Sequence, residues 1–407
     1  MSKPFLTLGT FGHGCVGQGF LELLNAPRHA SGGGTAAHVK HVCVKEHGRT
    51  RAIGNAMLTY EALDILGDDQ VRAIVELTND PVLALKVIRH ALNTGRHAIT
   101  ASKRVVAENL VELIALQRTT GQHLLYEASC AASIPVLHAL ETHFSGEEVL
   151  RVEGILNGTT NYILTHAHEE NLAPEEALRL AQLAGFAESD PRSDLNGSDT
   201  RFKLVILIAH AFGTLVKPRD ILKHGIEELL PEDMAFGVQH GWCVRLIASA
   251  FLLNGRLVAH VLPTFVPASD PFAFVRNEYN AVRIHGAHSG THVLQGKGAG
   301  SLPTGLAVLS DVQQLIRGGG YGYAKVNEHA PSLSSGEERL EVYARIPTTH
   351  QELLAQFDLV RPIDASADHV RLIGTIALAK LSLLLGEGRD GFQVIALPHL
   401  SADSCKP

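Results

Sequence analysis

The stretch FLTLGTFGHGCVGQGFLELLN, Phe5 to Asn25, decides the fold. Its first half is a short apolar run that reads as a strand. Its second half reads as the opening of a helix. Between them GHGCVG, Gly12 to Gly17, fits G-x-G-x-x-G in the strand-to-helix setting that gives this spacing meaning. Gly12 permits the tight turn, Gly14 lets backbone approach a pyrophosphate, and Gly17 lets helix and strand pack closely. The helix start then offers unpaired N–H groups to phosphate oxygens. His13 and Val16 complete this candidate cofactor-binding segment. The plain alternative is a glycine-rich turn with no ligand.

Working outward, short apolar runs alternate with helical patterns as far as about residue 132. HVKHVCVK, AIVELT, HAIT and HLLYEAS read as strands. PVLALKVIRHALNTG and ENLVELIALQRTTG read as helices, with Pro81 at a helix start and Gly95 and Gly121 just past helix ends. Such alternation predicts an α/β fold with a Rossmann-type, doubly wound parallel sheet over residues 1–132. GKGAGSLPTGLAVLSDVQQLIRGG, about 296–320, reads as a turn and helix that complete it. Residues 133–295 mix long helices with strand-like VLRVEGIL and RLVAHVLPTFVP, which predicts an α+β domain. RGGGYGYAKVNEHAPSLSSGEE reads as a linker. Residues 338–407 then read as β-α-β-β-α-β, a small ferredoxin-like module.

The 407 residues carry 45% hydrophobic and 19% charged residues, enough for a sizeable core. The net charge of -7 and the lack of a basic cluster argue against nucleic acid as a partner. No apolar run is long enough to span a bilayer. Five scattered cysteines without a C-x-x-C pair, and an N-terminal MSKPFLTLGT without an apolar signal core, point to a cytoplasmic chain with reduced thiols. IHGAHSGTH brings His285, His288 and His292 close in sequence, but Gly286 and Gly290 break any helix that would converge them on zinc.

The second strand ends VCVKEHGRTR. Glu46 there favours an NAD ribose, whereas Lys45, Arg49 and Arg51 favour a 2′-phosphate; the balance leans to NADP. ESDPRSDLNGSDTRFKLVIL, Glu188 to Leu207, crowds acids, a proline, a glycine and a lysine before an apolar helix. An EF-hand register centred on Gly197 puts Arg192 and Lys203 where anions are required, which excludes calcium. A solvated turn accounts for the Asp, Asn, Gly and Ser but leaves Lys203 unexplained. Asp199 and Lys203 stand four apart and share a helical face. A lysine at the mouth of a buried helix, flanked by Asp199 and within reach of Glu188, is a candidate proton-transfer group.

The segments GHGCVG, AITASK, YEASCAASIP, GILNGTTNYIL, ESDPRSDLNGSDTRFK and GKGAGSLPT, in this order, resemble those of the homoserine dehydrogenase family over about the first 320 residues. The resemblance implies NAD(P)-dependent interconversion of L-aspartate 4-semialdehyde and L-homoserine, on the route to threonine and methionine. It implies Lys203 as proton donor and Lys103 as a second catalytic lysine that also holds the cofactor. Glu188, Asp199 and Thr159 would contact the substrate; Thr78, Gly185, Gly298 and Gly300 would contact the cofactor. EASCAASI would hold a monovalent cation, sodium or potassium, through Glu127, Cys130, Ala132 and Ile134, although this chain has Cys130 and AAS where the family has valine and glycines. Phe186 stands where the family commonly has tyrosine. The last module resembles ACT regulatory domains, which bind amino-acid effectors, but IPTTHQELLAQ lacks the usual effector-loop Asp and Gly. A homodimer or homotetramer through the second domain is expected. Another amino-acid-pathway dehydrogenase, or a non-catalytic nucleotide-binding sensor, remains the alternative.

Overall fold

The computed structural model describes residues 5–26, 36–386, 388 and 390–398. Most of the loop APRHASGGGTAA, Cys405 and the last residues of the C-terminal module lie outside the described residues. The chain forms two compact units, Met1–Gly146 with Gly296–Val326, and Glu147–Gln295 with Asn327–Pro407. Residues 133–146 thus fall with the first unit.

In the first unit β1 (Leu6–Phe11) leads into α1 (Cys15–Leu24), followed by β2 (Ala37–Cys43), β3 (Met57–Thr59) and α2 (Leu63–Leu66). Then come β4 (Ala73–Glu76), α3 (Pro81–Asn93), β5 (His97–Thr100), α4 (Lys103–Thr120), β6 (Leu124–Leu125) and α5 (Val136–Thr142). The strands lie in the order β3-β2-β1-β4-β5-β6. All pairings are parallel, as the alternation predicts. β4 is wholly buried, which suits a strand covered on both faces. Asp80 caps α3 through the N–H groups of Val82 and Leu83, with Pro81 at the first turn. Gly95 and Gly121 take φ of +75° and +70° beyond their helices.

In the second unit β7 (Val149–Ile155) precedes α6 (Gly158–Glu169), α7 (Pro174–Leu183), α8 (Arg192–Leu195) and α9 (Ser198–Phe212). Next are β8 (Leu222–Lys223), α10 (Pro231–Gln239), β9 (Trp242–Leu253), β10 (Arg256–Pro267), β11 (Tyr279–Gly286) and β12 (Gly290–Lys297). The chain returns to the first unit in α11 (Ser301–Ile316). It ends with β13 (Arg339–Pro347), β14 (Asp358–Ala365), β15 (His369–Ala377), α12 (Leu378–Gly386) and β16 (Gln393–Ala396). Asn254 and Gly255, at φ +51° and +73°, form the two-residue turn that joins β9 to β10.

Two expectations need correction. Residues 338–398 do not form a separate module. One sheet runs β12-β11-β7-β9-β10-β16-β13-β15-β14, and β16 pairs in parallel with β10 at Thr264 and Ala396. Phe251, Val258 and Leu262 share one core with Leu340, Val342, Leu372 and Leu381. Asp233 of α10 accepts hydrogen bonds from Tyr343 Oη at 2.6 Å and Arg345 Nε at 3.1 Å, so a buried charge pair stitches the same boundary. The first helix expected in this region is instead a 3-10 turn, Thr348–Gln356, broken at His350 by φ -128°. Second, 317–338 is not simply a linker. Tyr321 and Tyr323 are buried in the first unit, where Tyr323 Oη accepts from Gln117 Nε2 at 3.0 Å and lies 3.0 Å from Tyr126 Oη.

Candidate active site

The glycines after β1 divide their work as the steric argument requires. Gly12 has φ +92°, and a Cβ there would lie 2.5 Å from Leu77 O. At Gly17 a Cβ would meet Gly12 O at 2.8 Å. Gly14 faces open space, and as the first cap of α1 it leaves the helix start without a side-chain partner. The loop therefore fits a dinucleotide: tight behind, open in front, with N–H groups at a helix N-terminus. His13 is half-buried, its Nε2 3.3 Å from Ala52 O, and Val16 is half-buried in the first turn of α1. His13, Gln18, Arg49 and Arg51 line one pocket.

Four more expected residues lie in the same unit, Thr78 and Lys103 at the C-terminal end of the sheet. Thr78 follows β4, and its N–H and hydroxyl both donate to Glu76 Oε1 at 2.7 Å. Half-buried Lys103 opens α4 directly after β5. Gly300 has φ +116° and caps α11, whose Ser301 hydroxyl donates to Cys15 O at 2.7 Å. Gly298 is half-buried in the turn before it. At the crossing of the two helices, a Cβ on Gly305 would meet Phe20 N at 2.5 Å. Glu76 was not expected. It is fully buried, accepts from Thr100 Oγ1 at 2.6 Å, and burial raises its pKa. An acid closing an apolar strand, two residues before a threonine, is its only trace in the sequence.

The loop 127–134 lies in the same unit. Glu127 Oε1 and Oε2 accept from Leu137 N at 2.9 Å and His138 N at 2.8 Å, at the start of α5. Burial pushes its pKa up to about 7 against the pull of these N–H groups. Ala131 and Ala132 hold φ of +58° and +45°, so the left-handed backbone survives without glycine. Such a conformation costs roughly 1–2 kcal/mol per residue. Cys130 and Ile134 are buried beside them, and Ser133 Oγ donates to Lys297 O at 2.9 Å.

In the second unit Asp199 and Lys203 lie on the first turns of α9, a helix buried along almost its whole length. Gly197, at φ +77°, starts the helix. Lys203 is 8% exposed; its Nζ is 2.8 Å from Asp199 Oδ2 and donates to Leu156 O at 2.5 Å. Buried Asn157, the cap of α6, donates from Nδ2 to Asp199 Oδ2 at 2.9 Å and Asp194 Oδ1 at 2.8 Å. Its Oδ1 accepts from Thr160 N at 2.8 Å, which fixes the amide. Asn157 and Asp194 were missed, although both lie in segments that carry the resemblance; an Asn before a helical run reads as a plain cap.

Thr159 donates from Oγ1 to Phe186 O at 2.8 Å, and Phe186 stacks on Tyr162 at 4.6 Å. Gly185, at φ +77°, makes the turn that presents Phe186. Glu188 departs from expectation. It is exposed, and among the described residues no contact joins it to Lys203. Its carbonyl accepts from Gln182 Nε2 at 3.3 Å, and the Asp190–Arg192 pair at 2.6 Å follows it in exposed chain. Asn157 joins Lys203 on Asp199.

No helix among the described residues is long and apolar enough to cross a membrane. Residues 12–127 match the family model for the homoserine dehydrogenase NAD-binding domain, and residues 135–313 match the homoserine dehydrogenase model. A homoserine dehydrogenase of Bacillus subtilis is 33% identical over 316 residues, 77% of this chain and 73% of the relative. One from Mycobacterium tuberculosis is 29% identical over 99% of this chain and 92% of the relative. The crystal structure of a homoserine dehydrogenase from Thiobacillus denitrificans aligns with a TM-score of 0.84 at 26% identity, over 98% of this chain and 99% of that one. A parallel dinucleotide-type sheet, a buried lysine–carboxylate pair and these likenesses converge: the chain belongs to the homoserine dehydrogenase family of NAD(P)-dependent oxidoreductases.

Proposed function

We propose that the chain interconverts L-aspartate 4-semialdehyde and L-homoserine, toward threonine and methionine. The observation that carries this reading is the buried Lys203 ammonium, held 2.8 Å from Asp199 at the start of α9. A carbonyl that accepts hydride develops alkoxide charge, and a positioned ammonium both stabilises that charge and delivers the proton. Asp199 aims the lysine, and Asn157 holds Asp199 in place. Thr159 and Glu188 contact the amino acid, Glu188 as an exposed carboxylate suited to an ammonium group. Lys103 polarises the carbonyl.

The bound dinucleotide supplies the hydride. Gly12, His13, Gly14, Val16 and Gly17 cradle its phosphates, with Thr78, Lys103, Gly185, Gly298 and Gly300 as further contacts. NADP is the preferred form. Arg49 and Arg51 line the pocket beside His13, whereas Glu46 lies 3.6 Å from Arg51 and so spends its charge there. Sodium or potassium sits at Glu127, Cys130, Ala132 and Ile134. An all-oxygen donor set suits a hard cation, and the left-handed Ala131 and Ala132 keep the backbone turn that the family makes with glycine. The C-terminal strand order β16-β13-β15-β14 supports an ACT-like regulatory region. The protein acts in the cytoplasm as a homodimer or homotetramer.

The test follows NAD(P)H absorbance with aspartate 4-semialdehyde. Lys203→Ala is expected to lower turnover about 10²-fold or more. Turnover equal to wild type would remove Lys203 from proton transfer.

A further inference from the structure

A second cavity, of about 280 Å³, lies in the second unit. Its floor is Arg245, the fourth residue of β9 and only 2% exposed. The guanidinium donates from Nη1 to Val244 O at 3.1 Å and from Nη2 to Ala273 O at 3.2 Å. Its Nε is buried without a hydrogen-bond partner, and among the described residues no carboxylate forms an ion pair with it. An arginine cannot escape burial by losing its proton. A buried cation whose hydrogen bonds go to two carbonyls, with Glu169 acting on it only at longer range, is a costly arrangement unless an anion completes it.

The rest of the lining sharpens what that anion is. His168, at the end of α6, also has a buried ring nitrogen, Nδ1, without a partner. Burial, and next the charge of Arg245, lower its pKa. Arg276 lies across the cavity mouth, 2.9 Å from Glu169, which occupies the one acid in the lining. Trp242 and Phe274 supply an aromatic wall, Phe274 being 64% exposed. A bare inorganic anion would leave that wall in water. From the unsatisfied guanidinium, the surplus of basic groups and the aromatic wall, we infer that this cavity is a binding site for a small organic carboxylate with an apolar body. The carboxylate is drawn to the Arg245 guanidinium and the apolar part lies against Trp242 and Phe274. A drug-sized cavity begins at about 300 Å³, so the ligand is no larger than a single amino acid or aryl acid.

The experiment is calorimetric titration of the full chain with phenylacetate, its neutral isostere phenylacetamide, acetate and inorganic phosphate. Phenylacetate is expected to saturate, binding at least about tenfold more tightly than each of the others. Arg245→Met should abolish that binding and leave the unliganded protein no less stable in thermal melts. No saturable binding up to about 20 mM phenylacetate, a range that reaches weak millimolar sites, overturns the proposal. So does phosphate binding as tightly, or undiminished binding by Arg245→Met. Should that variant not fold, Phe274→Ala changes an exposed residue and must weaken phenylacetate while leaving acetate unaltered; an unchanged phenylacetate affinity rejects the site. A change of oligomeric mass in Arg245→Met by sedimentation also rejects it, since a second copy of the chain would then be the source of the anion. The readout is binding, so its failure leaves the reading of Lys203 untouched.

Discussion

Lys203 and Arg245 occupy the same unit, both almost wholly removed from water, and they differ in what answers their charge. Lys203 has Asp199 at 2.8 Å, one helical turn away, with Asn157 holding the carboxylate from behind. Arg245 has two backbone carbonyls and an idle Nε. A third buried cation, Arg345, resembles the first: Asp233, itself fully buried, takes its Nε at 3.1 Å. The difference separates a charge that the fold has settled from one that it leaves to a ligand. It also separates two settled pairs, since Lys203 is the proposed proton-transfer group while Arg345 pins β13 to α10.

The largest expected effect comes from breaking those two settled pairs. Asp233→Ala and Asp199→Ala each remove the paired carboxylate from a buried cation, and each should cost about 3–5 kcal/mol of unfolding free energy. Chemical denaturation measures both. Only Asp199→Ala should in addition lower turnover of the folded enzyme, by about 10²-fold. An equal loss of turnover in Asp233→Ala would erase the distinction between a catalytic pair and a structural one. Next in size is Asn157→Ala, which removes hydrogen bonds to two carboxylates while leaving Lys203 and Asp199 paired. Bonds to charged groups are each worth about 1.5–3 kcal/mol. The expectation is a kcat lowered with KM nearly unchanged, because Asn157 positions Asp199 instead of touching substrate. A variant that loses KM alone would move Asn157 into the substrate contacts.

How legible each charge is in the sequence follows from the range of its partners. The glycines of GHGCVG announce themselves because steric rules act within six residues, and the strand order they nucleate follows from alternation. Asp199 and Lys203 are legible for the same reason, being four apart on one helix. Arg245 sits in WCVRLIASAFLL, a strand passed over although Asn254 and Gly255 mark the hairpin turn that follows it. Nothing local says that the one acid in its surroundings, Glu169, pairs with Arg276 instead; that depends on α6 and the turn Pro271–Phe274. The join of β16 to β10 is hidden likewise, since one parallel pairing at Thr264 and Ala396 leaves no pattern in either strand. The left-handed Ala131 and Ala132 show the reverse failure: alanine conceals a backbone that glycine would have advertised.

The smallest effect concerns a buried carboxyl that, among the described residues, no cation pairs with. Glu76 closes β4 with zero exposure and is met by neutral donors alone in the hydrogen bonds it accepts: the Thr78 N–H and hydroxyl, and the Thr100 hydroxyl. Burial raises its pKa above 4.5, and the hydrogen bonds only partly offset this. The folded state therefore holds this proton more tightly than the unfolded one. Its contribution to stability is intact below about pH 4.5, near the unfolded value, and declines as pH rises through the raised folded pKa. Glu76→Gln keeps the shape and removes the titration. Urea unfolding at a series of pH values should show a difference between wild type and Glu76→Gln that grows in the variant's favour above about pH 4.5. If the difference stays flat, the carboxylate is as well served by three hydroxyl and amide donors as Asp199 is by its lysine. The contrast drawn from Arg245 would then have to rest on cations alone, since a neutral shell would suffice for a buried anion.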